Sequence, residues 1–327
     1  MIQHVVVGGA GFIGSHVVER LLSSGTDDIR VRVVDNLSSG SRERLSPVAG
    51  SPGLEFVELD VKDLGALTNA MGGADHVFHF AANPDIAAAV ARPDIDFWDG
   101  TYLMNNVLEA MRRSGVPRLT YASGSGVYGE VGDENVVEDR GPMHPISTYG
   151  ASKLAGEALA AAYCHMFDFS AAVFRFANVV GPRQTHGVTY DFVRKLMRDP
   201  TRLEILGDGT QTKSYIHVDD VVDAMLLVAR LNGPGFQVFN VATDDQLSVR
   251  EIADLAAGLL GATNVEYVFS GGSRGWKGDV PVIRFDSTRI RELGWTNRYT
   301  SAEALRDSIR ANVAEASSAS EGPALQR

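Results

Sequence analysis

The chain has 327 residues, a formal net charge of −11, 44% hydrophobic and 22% charged residues, and a single cysteine, Cys164. It exceeds one typical domain, can bury a large core, and has the composition of a globular protein. Its acidity argues against a nucleic-acid or anionic-membrane surface, and one cysteine in an Ala-rich run excludes an internal disulfide and a cysteine metal cluster, so no metal site is expected. No apolar run reaches membrane-spanning length, and Met1 leads straight into a strand rather than a signal peptide, so a cytoplasmic protein is expected.

Residues His4 to Val7 form a short apolar strand, followed by Gly8-Gly9-Ala10-Gly11-Phe12-Ile13-Gly14. Ile13, Val17, Val18, Leu21 and Leu22 then recur at helical spacing as far as Gly25. Strand, glycine turn and helix are the context a phosphate-binding motif needs: the glycines let backbone amides approach a pyrophosphate, and the helix N-terminus adds favourable partial charge. The glycines fall at 8, 11 and 14, a GxxGxxG spacing. A second strand, Val31 to Val34, ends at Asp35, 21 residues after Gly14, where a carboxylate can meet the adenosine ribose hydroxyls. That carboxylate repels a 2′-phosphate and favours NAD over NADP, although Arg42 and Arg44 nearby pull the other way. Asn36, Ser38, Ser39 and Gly40 read as the loop beside the adenosine.

The alternation continues. Leu54 to Leu59 is a strand ending at Asp60-Val61, and a helix runs from about Leu64 to Met71. His76 to Phe80 opens into Ala81-Ala82-Asn83-Pro84, a long helix spans Phe97 to Ser114, and the strand Arg118 to Ala122 ends before Ser123. Strands alternating with helices predict a doubly wound parallel sheet of Rossmann type, an α/β fold whose ligands sit beyond the carboxyl ends of the strands. Further on, Tyr149 and Lys153 stand four residues apart, on one face of a helix. An ammonium near a phenol favours the phenolate and lowers its pKa, which would make Tyr149 a base near neutral pH. Such a pair also recurs by chance on solvated helices; the upstream pattern is what gives it meaning.

The ordered series GGAGFIG, DNLSSG, Asp60-Val61, HFAA at 79–82, SGSGVYGE at 123–130, YGASK at 149–153, RFANVVGPR at 175–183, ILGDGTQTKSYIHVDD at 205–220 and RGWKGDV at 274–280 resembles the extended short-chain dehydrogenase/reductases that act on nucleotide sugars. The resemblance runs nearly end to end and comes closest to the UDP-glucose (UDP-galactose) 4-epimerases. It implies an NAD-binding domain of residues 1–182 plus about 213–245. A smaller C-terminal substrate-binding α/β domain follows, of about 183–212 plus 246–313; the Ser-, Ala-, Glu- and Gly-rich composition of 314–327 predicts a disordered tail. Late helical patterns at Val249 to Leu260 and Ser301 to Val313 fall in that second part.

The family likeness further implies Tyr149 and Lys153 as catalytic residues, Phe80, Ala81, Ala82, Asp60, Val61 and Phe176 beside the cofactor, and Asn83, Asn178, Val188, Lys213 and Arg274 on a UDP-sugar. It makes His217 a structural histidine. A homodimer through the helices at Phe97–Ser114 and Tyr149 is also implied, with Ala151, Ala155, Ala158 and Ala162 forming a small-residue face; the alternative is that this face lies on its own sheet. Two positions depart from the family: Gly124 replaces the serine or threonine that bonds the reacting hydroxyl, and Gly100 replaces an asparagine. Ser125 or Ser123 could supply the missing hydroxyl, as could Thr148 or a water, through a turn reshaped by Gly124. The primary expectation is NAD-dependent 4-epimerisation of a nucleotide sugar through a 4-keto intermediate. A dehydration or decarboxylation from that intermediate, with Glu130 or Glu138 as base, and a non-catalytic NAD- or sugar-nucleotide-binding protein are the alternatives.

Overall fold

The computed structural model describes residues 1–23 and 28–321. β1 (Ile2–Val7) is rich in β-branched residues, which suit a pleated, two-sided burial. Its side chains alternate between two cores, Val6 into one and Val5 and Val7 into the other. Then follow α1 (Phe12–Leu22), β2 (Ile29–Asp35), β3 (Leu54–Glu58), α2 (Leu64–Ala70), β4 (His76–His79), α3 (Tyr102–Ser114) and β5 (Arg118–Ala122). The short β6 (Asn135–Val136) precedes α4 (Thr148–Phe167), β7 (Ser170–Phe176), β8 (Asn178–Val180), α5 (Val188–Arg198) and β9 (Arg202–Ile205). Next come β10 (Thr212–Lys213), β11 (Tyr215–His217), α6 (Val218–Leu231) and β12 (Phe236–Val241). The chain ends with β13 (Leu247–Ser248), α7 (Val249–Leu260), β14 (Glu266–Phe269), β15 (Arg284–Phe285), α8 (Thr288–Glu292) and α9 (Ser301–Glu321).

Seven strands make one parallel sheet in the order β12-β7-β5-β4-β1-β2-β3. This is the doubly wound Rossmann-type arrangement expected. Helices α1 and α6 cover one face through Val17, Val18, Val221 and Met225. Helices α2, α3 and α4 cover the other through Leu67, Met104, Leu108 and Ala160. Strand order reverses between β1 and β4, so the carboxyl ends of those two strands frame the crevice where such folds bind ligands. A third core joins α5, β9, α7 and α9 around Phe192, Leu203, Ile252 and Leu305.

Two local expectations are corrected, and a third falls outside the described residues. The long helix opens with a wide π turn over Phe97–Thr101 and becomes α-helical only at Tyr102. Gly25, expected to stop α1, lies outside the described residues; the helix ends at Leu22 with Ser23 as its cap. The tail expected to be disordered from Ala314 is helical through Glu321, because α9 buries Ala304, Leu305, Ser308 and Ile309 and its Glu315 accepts the Arg183 amide at 3.0 Å. Residues 322–327 lie outside the described part. No helix among the described residues is long and apolar enough to cross a membrane.

Candidate active site

The crevice widens into a cleft of about 780 Å³ lined by Gly8, Gly11, Phe12, Ile13 and Gly14 on the glycine turn. Gly8 has φ +78°, and a Cβ there would stand 2.6 Å from the Ala81 amide nitrogen; one at Gly14 would stand 2.3 Å from the Gly8 carbonyl oxygen. Side chains at either point would collide with the backbone of the glycine turn or of the segment after β4, so glycine lets the turn pack tightly before the first turn of α1, whose leading amides have no partner within the helix. Asp35 is buried at the end of β2, where Oδ2 accepts the Ala10 amide and Oδ1 the Leu37 amide, both at 2.9 Å. The two bonds fix the carboxylate and leave lone pairs for ribose hydroxyls. Arg42 is taken up by Glu58 at 3.1 Å, and Arg44 by the carbonyls of Ala10 and Ser39 at 3.0 and 3.1 Å. The donor set therefore fits NAD. Asn36, Ser38, Ser39, Asp60, Val61, Phe80, Ala81, Ala82 and Phe176 also line the cleft. Gly40 does not; a Cβ there would stand 2.7 Å from Asp35 Oδ1, so its part is to leave room for that carboxylate.

Ser147 caps α4 by accepting the Gly150 amide at 3.0 Å, which puts Tyr149 in the first turn facing the cleft. Lys153, one turn on, is buried and donates to the Ala122 carbonyl at 2.7 Å. Its Nζ lies 5.5 Å from the centre of the Tyr149 ring and 5.1 Å from that of Tyr121. Burial, then the charge of Asp96, pushes the Tyr149 phenol up to about 12. Burial also lowers Lys153 to about 8, against the opposing pull of Glu157 and Asp96. Lys153 is not among the groups that shift the phenol in the protein's own field, where desolvation is the largest influence. A cationic nicotinamide bound in the cleft would act in the opposite sense.

The structure divides the remaining site residues. Ser125 lines the cleft, as do Asn178, Val188 and Lys213. Ser123 also lines the cleft, but its hydroxyl donates to Glu157 Oε1 at 2.5 Å and is engaged there. Glu157 in turn grips buried Arg175 at 2.6 Å. Asn83 spends its amide on the Asp85 carbonyl at 2.8 Å and on Asp96 Oδ1 at 3.0 Å, so it shapes the wall rather than offering a free donor. Arg274 is outside the cleft lining, bound to Glu130 and to the Asp279 carbonyl. Lys213 pairs with Asp279. The two cations expected to hold a diphosphate thus each carry an acidic partner.

The departures from the family are also clarified. Gly124 has extended backbone (φ −171°, ψ 170°) and a Cβ there would meet nothing within 4 Å, so no reshaped turn is built on this glycine. At Gly100 the opposite holds: a Cβ would lie 2.7 Å from Ser152 Oγ, so an asparagine there would require Ser152 of α4 to shift. Glu138 is buried, accepting the Asn240 amide at 2.8 Å, and neither it nor Glu130 lines the cleft. His217 stacks on Tyr299 at 4.2 Å and bonds Asp307 at 3.1 Å, away from the cleft. Sequence reasoning missed Trp276, which lines the cleft with its ring over Gly278, and Asp96; the only available signal for the first was its place inside RGWKGDV.

A glycine cradle, an acidic residue closing β2 and a Tyr-Lys pair on one helix, all in a single cleft, define a dinucleotide-dependent enzyme of the short-chain dehydrogenase type. The chain belongs to the NAD dependent epimerase/dehydratase family, whose pattern it matches over residues 4–242. It is 36% identical over 315 residues to a UDP-glucose 4-epimerase of Mycolicibacterium smegmatis, covering 93% of this chain and 96% of that one. To a dTDP-glucose 4,6-dehydratase of Streptomyces griseus it is 33% identical, covering 96% and 94% of the two chains. A crystal structure of a UDP-galactose 4-epimerase superposes with a TM-score of 0.84 at 38% identity, covering 96% of this chain and 99% of that one.

Proposed function

We propose that this protein is an NAD-dependent nucleotide-sugar 4-epimerase acting on a UDP-hexose or UDP-hexuronate through a 4-keto intermediate. The observation that carries this reading is the Tyr149–Lys153 pair in the same cleft as the glycine cradle and Asp35. Bound NAD supplies the hydride acceptor that takes hydrogen from sugar carbon 4 and later returns it. Tyr149 takes the proton of the 4-hydroxyl and gives it back to the keto oxygen once the sugar has turned over. Lys153, anchored on the Ala122 carbonyl, provides positive charge for that exchange. Ser125 contacts the reacting oxygen, and Asn178 and Lys213 support the diphosphate, Lys213 being shared with Asp279. Residues 1–182 with about 213–245 form the cofactor side, and about 183–212 with 246–313 the substrate side.

The engagement of Glu130 by Arg274 and of Glu138 by Asn240 favours epimerisation over elimination, since neither carboxylate is presented to the cleft. Incubation with a panel of UDP-, dTDP- and GDP-sugars tests the reading by mass and NMR. Isomers of unchanged mass support it. Products lighter by water or carbon dioxide, or binding without turnover, refute it. Tyr149→Phe, which keeps the ring and loses only the acid/base oxygen, is expected to retain NAD and lose turnover.

A further inference from the structure

Asp96 is a carboxylate with 1% exposure in the segment leading to α3. Its Oδ2 accepts the Thr148 hydroxyl at 2.7 Å, and its Oδ1 accepts the Asn83 amide at 3.0 Å. Asn83 also holds its own loop, with Oδ1 accepting the Asp85 amide at 3.0 Å. One side chain therefore ties together the loop after β4, the approach to α3 and the first turn of α4. Thr148 immediately precedes Tyr149, so the bond to Asp96 fixes the turn that carries the phenol.

The other charges around Tyr149 have partners. Glu157 on α4 is held by Arg175 of β7 at 2.6 Å, and Asp99 in the π turn by Lys62 at 2.6 Å. His79 of β4, stacked on Tyr121 of β5, is kept neutral because burial pushes it down to about 3, and burial likewise holds the Tyr121 phenol neutral. Lys153 rests on the Ala122 carbonyl. Asp96 makes no ion pair among the described residues; two neutral donors hold it, and the nearby cation that feels its charge is the buried Lys153. That field acts in the same direction on Tyr149 and on Lys153, favouring the protonated form of each.

Resting on the reading of Tyr149 as the proton acceptor, we propose that Asp96 is a positioning residue that seats the Tyr149 turn against Asn83 and places a buried carboxylate beside the Tyr149–Lys153 pair. The proton itself travels only between the sugar oxygen and Tyr149; Asp96 takes none. Its charge makes the Tyr149 phenolate a stronger base in the half-reaction that oxidises the alcohol, and it helps keep the buried Lys153 charged.

The test compares kcat/KM against pH for the NAD-loaded enzyme and its Asp96→Asn, Asp96→Glu and Thr148→Val variants. Asp96→Asn removes the charge with little change of shape, and its acid limb is expected to move down by about half a pH unit or more. Asp96→Glu and Thr148→Val keep the charge, and their limbs are expected to stay in place while kcat falls. NMR titration of Cζ-labelled tyrosine, assigned with Tyr149→Phe, is expected to show the same downward shift in Asp96→Asn. An unmoved or upward-shifted limb in Asp96→Asn overturns the proposal. So does a shift in Thr148→Val equal to that of Asp96→Asn, which would assign the effect to the hydrogen bond alone. If Asp96→Asn does not fold, a displaced limb in Asp96→Glu still overturns it. Turnover surviving in Tyr149→Phe would instead refute the reading of Tyr149 on which the proposal rests, so the two failures are separable.

Discussion

Ser123 donates its hydroxyl to Glu157 at 2.5 Å, and that bond engages one of the two cleft-lining serines that flank Gly124. Ser125 remains, at the start of a short turn and lining the cleft. Ser125→Ala is therefore expected to lower kcat at least about tenfold, or about 1.4 kcal/mol, with stability unchanged. Ser123→Ala is expected to leave kcat nearly intact and to lower the melting temperature, since it strips a donor from the buried Glu157–Arg175 pair. Gly124→Ser, with ordinary backbone and open space for its Cβ, is expected to fold as the parent does and to restore turnover in the Ser125→Ala background. Steady-state kinetics beside thermal melts checks all three. A silent Ser125→Ala together with an inactive Ser123→Ala would reverse the assignment.

Asp35→Asn is expected to weaken NAD binding by about 1–3 kcal/mol, the scale of a charge-assisted hydrogen bond. The amide also cannot accept from both Ala10 and Leu37 as the carboxylate does, so part of the loss comes from the loosened loop. Calorimetric titration with NAD and NADP measures it. Tighter binding of NADP than NAD by the unaltered protein would contradict the role of Asp35.

Much of this architecture is legible in the sequence because it is written in local patterns. β1 to β5 are short apolar runs separated by helical spacing, and the glycines at 8, 11 and 14 fall where a strand meets a helix. What is not legible is pairing over distance. Nothing near Arg274 announces Glu130, and nothing near Asn83 announces Asp96, so residues expected to meet ligand prove to be held by the protein. The tail misleads for a related reason. Its Ala, Ser and Glu composition suggests disorder, yet the preceding turns of α9 are buried and Glu315 is tied to the Arg183 amide. The sign of the Tyr149 shift is likewise a matter of burial, which spacing along a helix does not report.

Stability should fall on mild acidification. Burial lowers His79 to about 3 and His4 to about 4, both below the ordinary 6.5. Between those values and 6.5 the unfolded chain binds protons that the folded chain refuses, so stability drops as pH falls through that window. Each histidine contributes on the order of 3 kcal/mol to that loss by about pH 4. Denaturant midpoints measured from neutral pH downward are expected to show the decline, and His79→Gln to show a shallower one. A His79→Gln slope equal to that of the parent would contradict this.

A homodimer through α3 and α4 is proposed from the family resemblance and from the surface. Ala151, Ala158 and Ala162 are exposed and Ala155 is half-buried, while Ser152, Gly156, Ala160 and Cys164 are buried. The alanine face thus does not lie on its own sheet, and Phe97 and Trp98 are exposed on the π turn leading into α3, at 52% and 46%. Light scattering at micromolar concentration is expected to give twice the chain mass, and Ala158→Arg to give the chain mass. A monomeric parent would rule the dimer out.

The central claim is that one cleft oxidises carbon 4 and reduces it again on the other face. A UDP-hexose carrying deuterium at carbon 4 tests it most directly, with the product's label located by NMR. The expected result is an epimer of unchanged mass that retains deuterium at carbon 4, with no net consumption of NAD. Deuterium found at carbon 6, loss of the label to solvent, or accumulation of a 4-keto sugar with reduced cofactor would contradict the account.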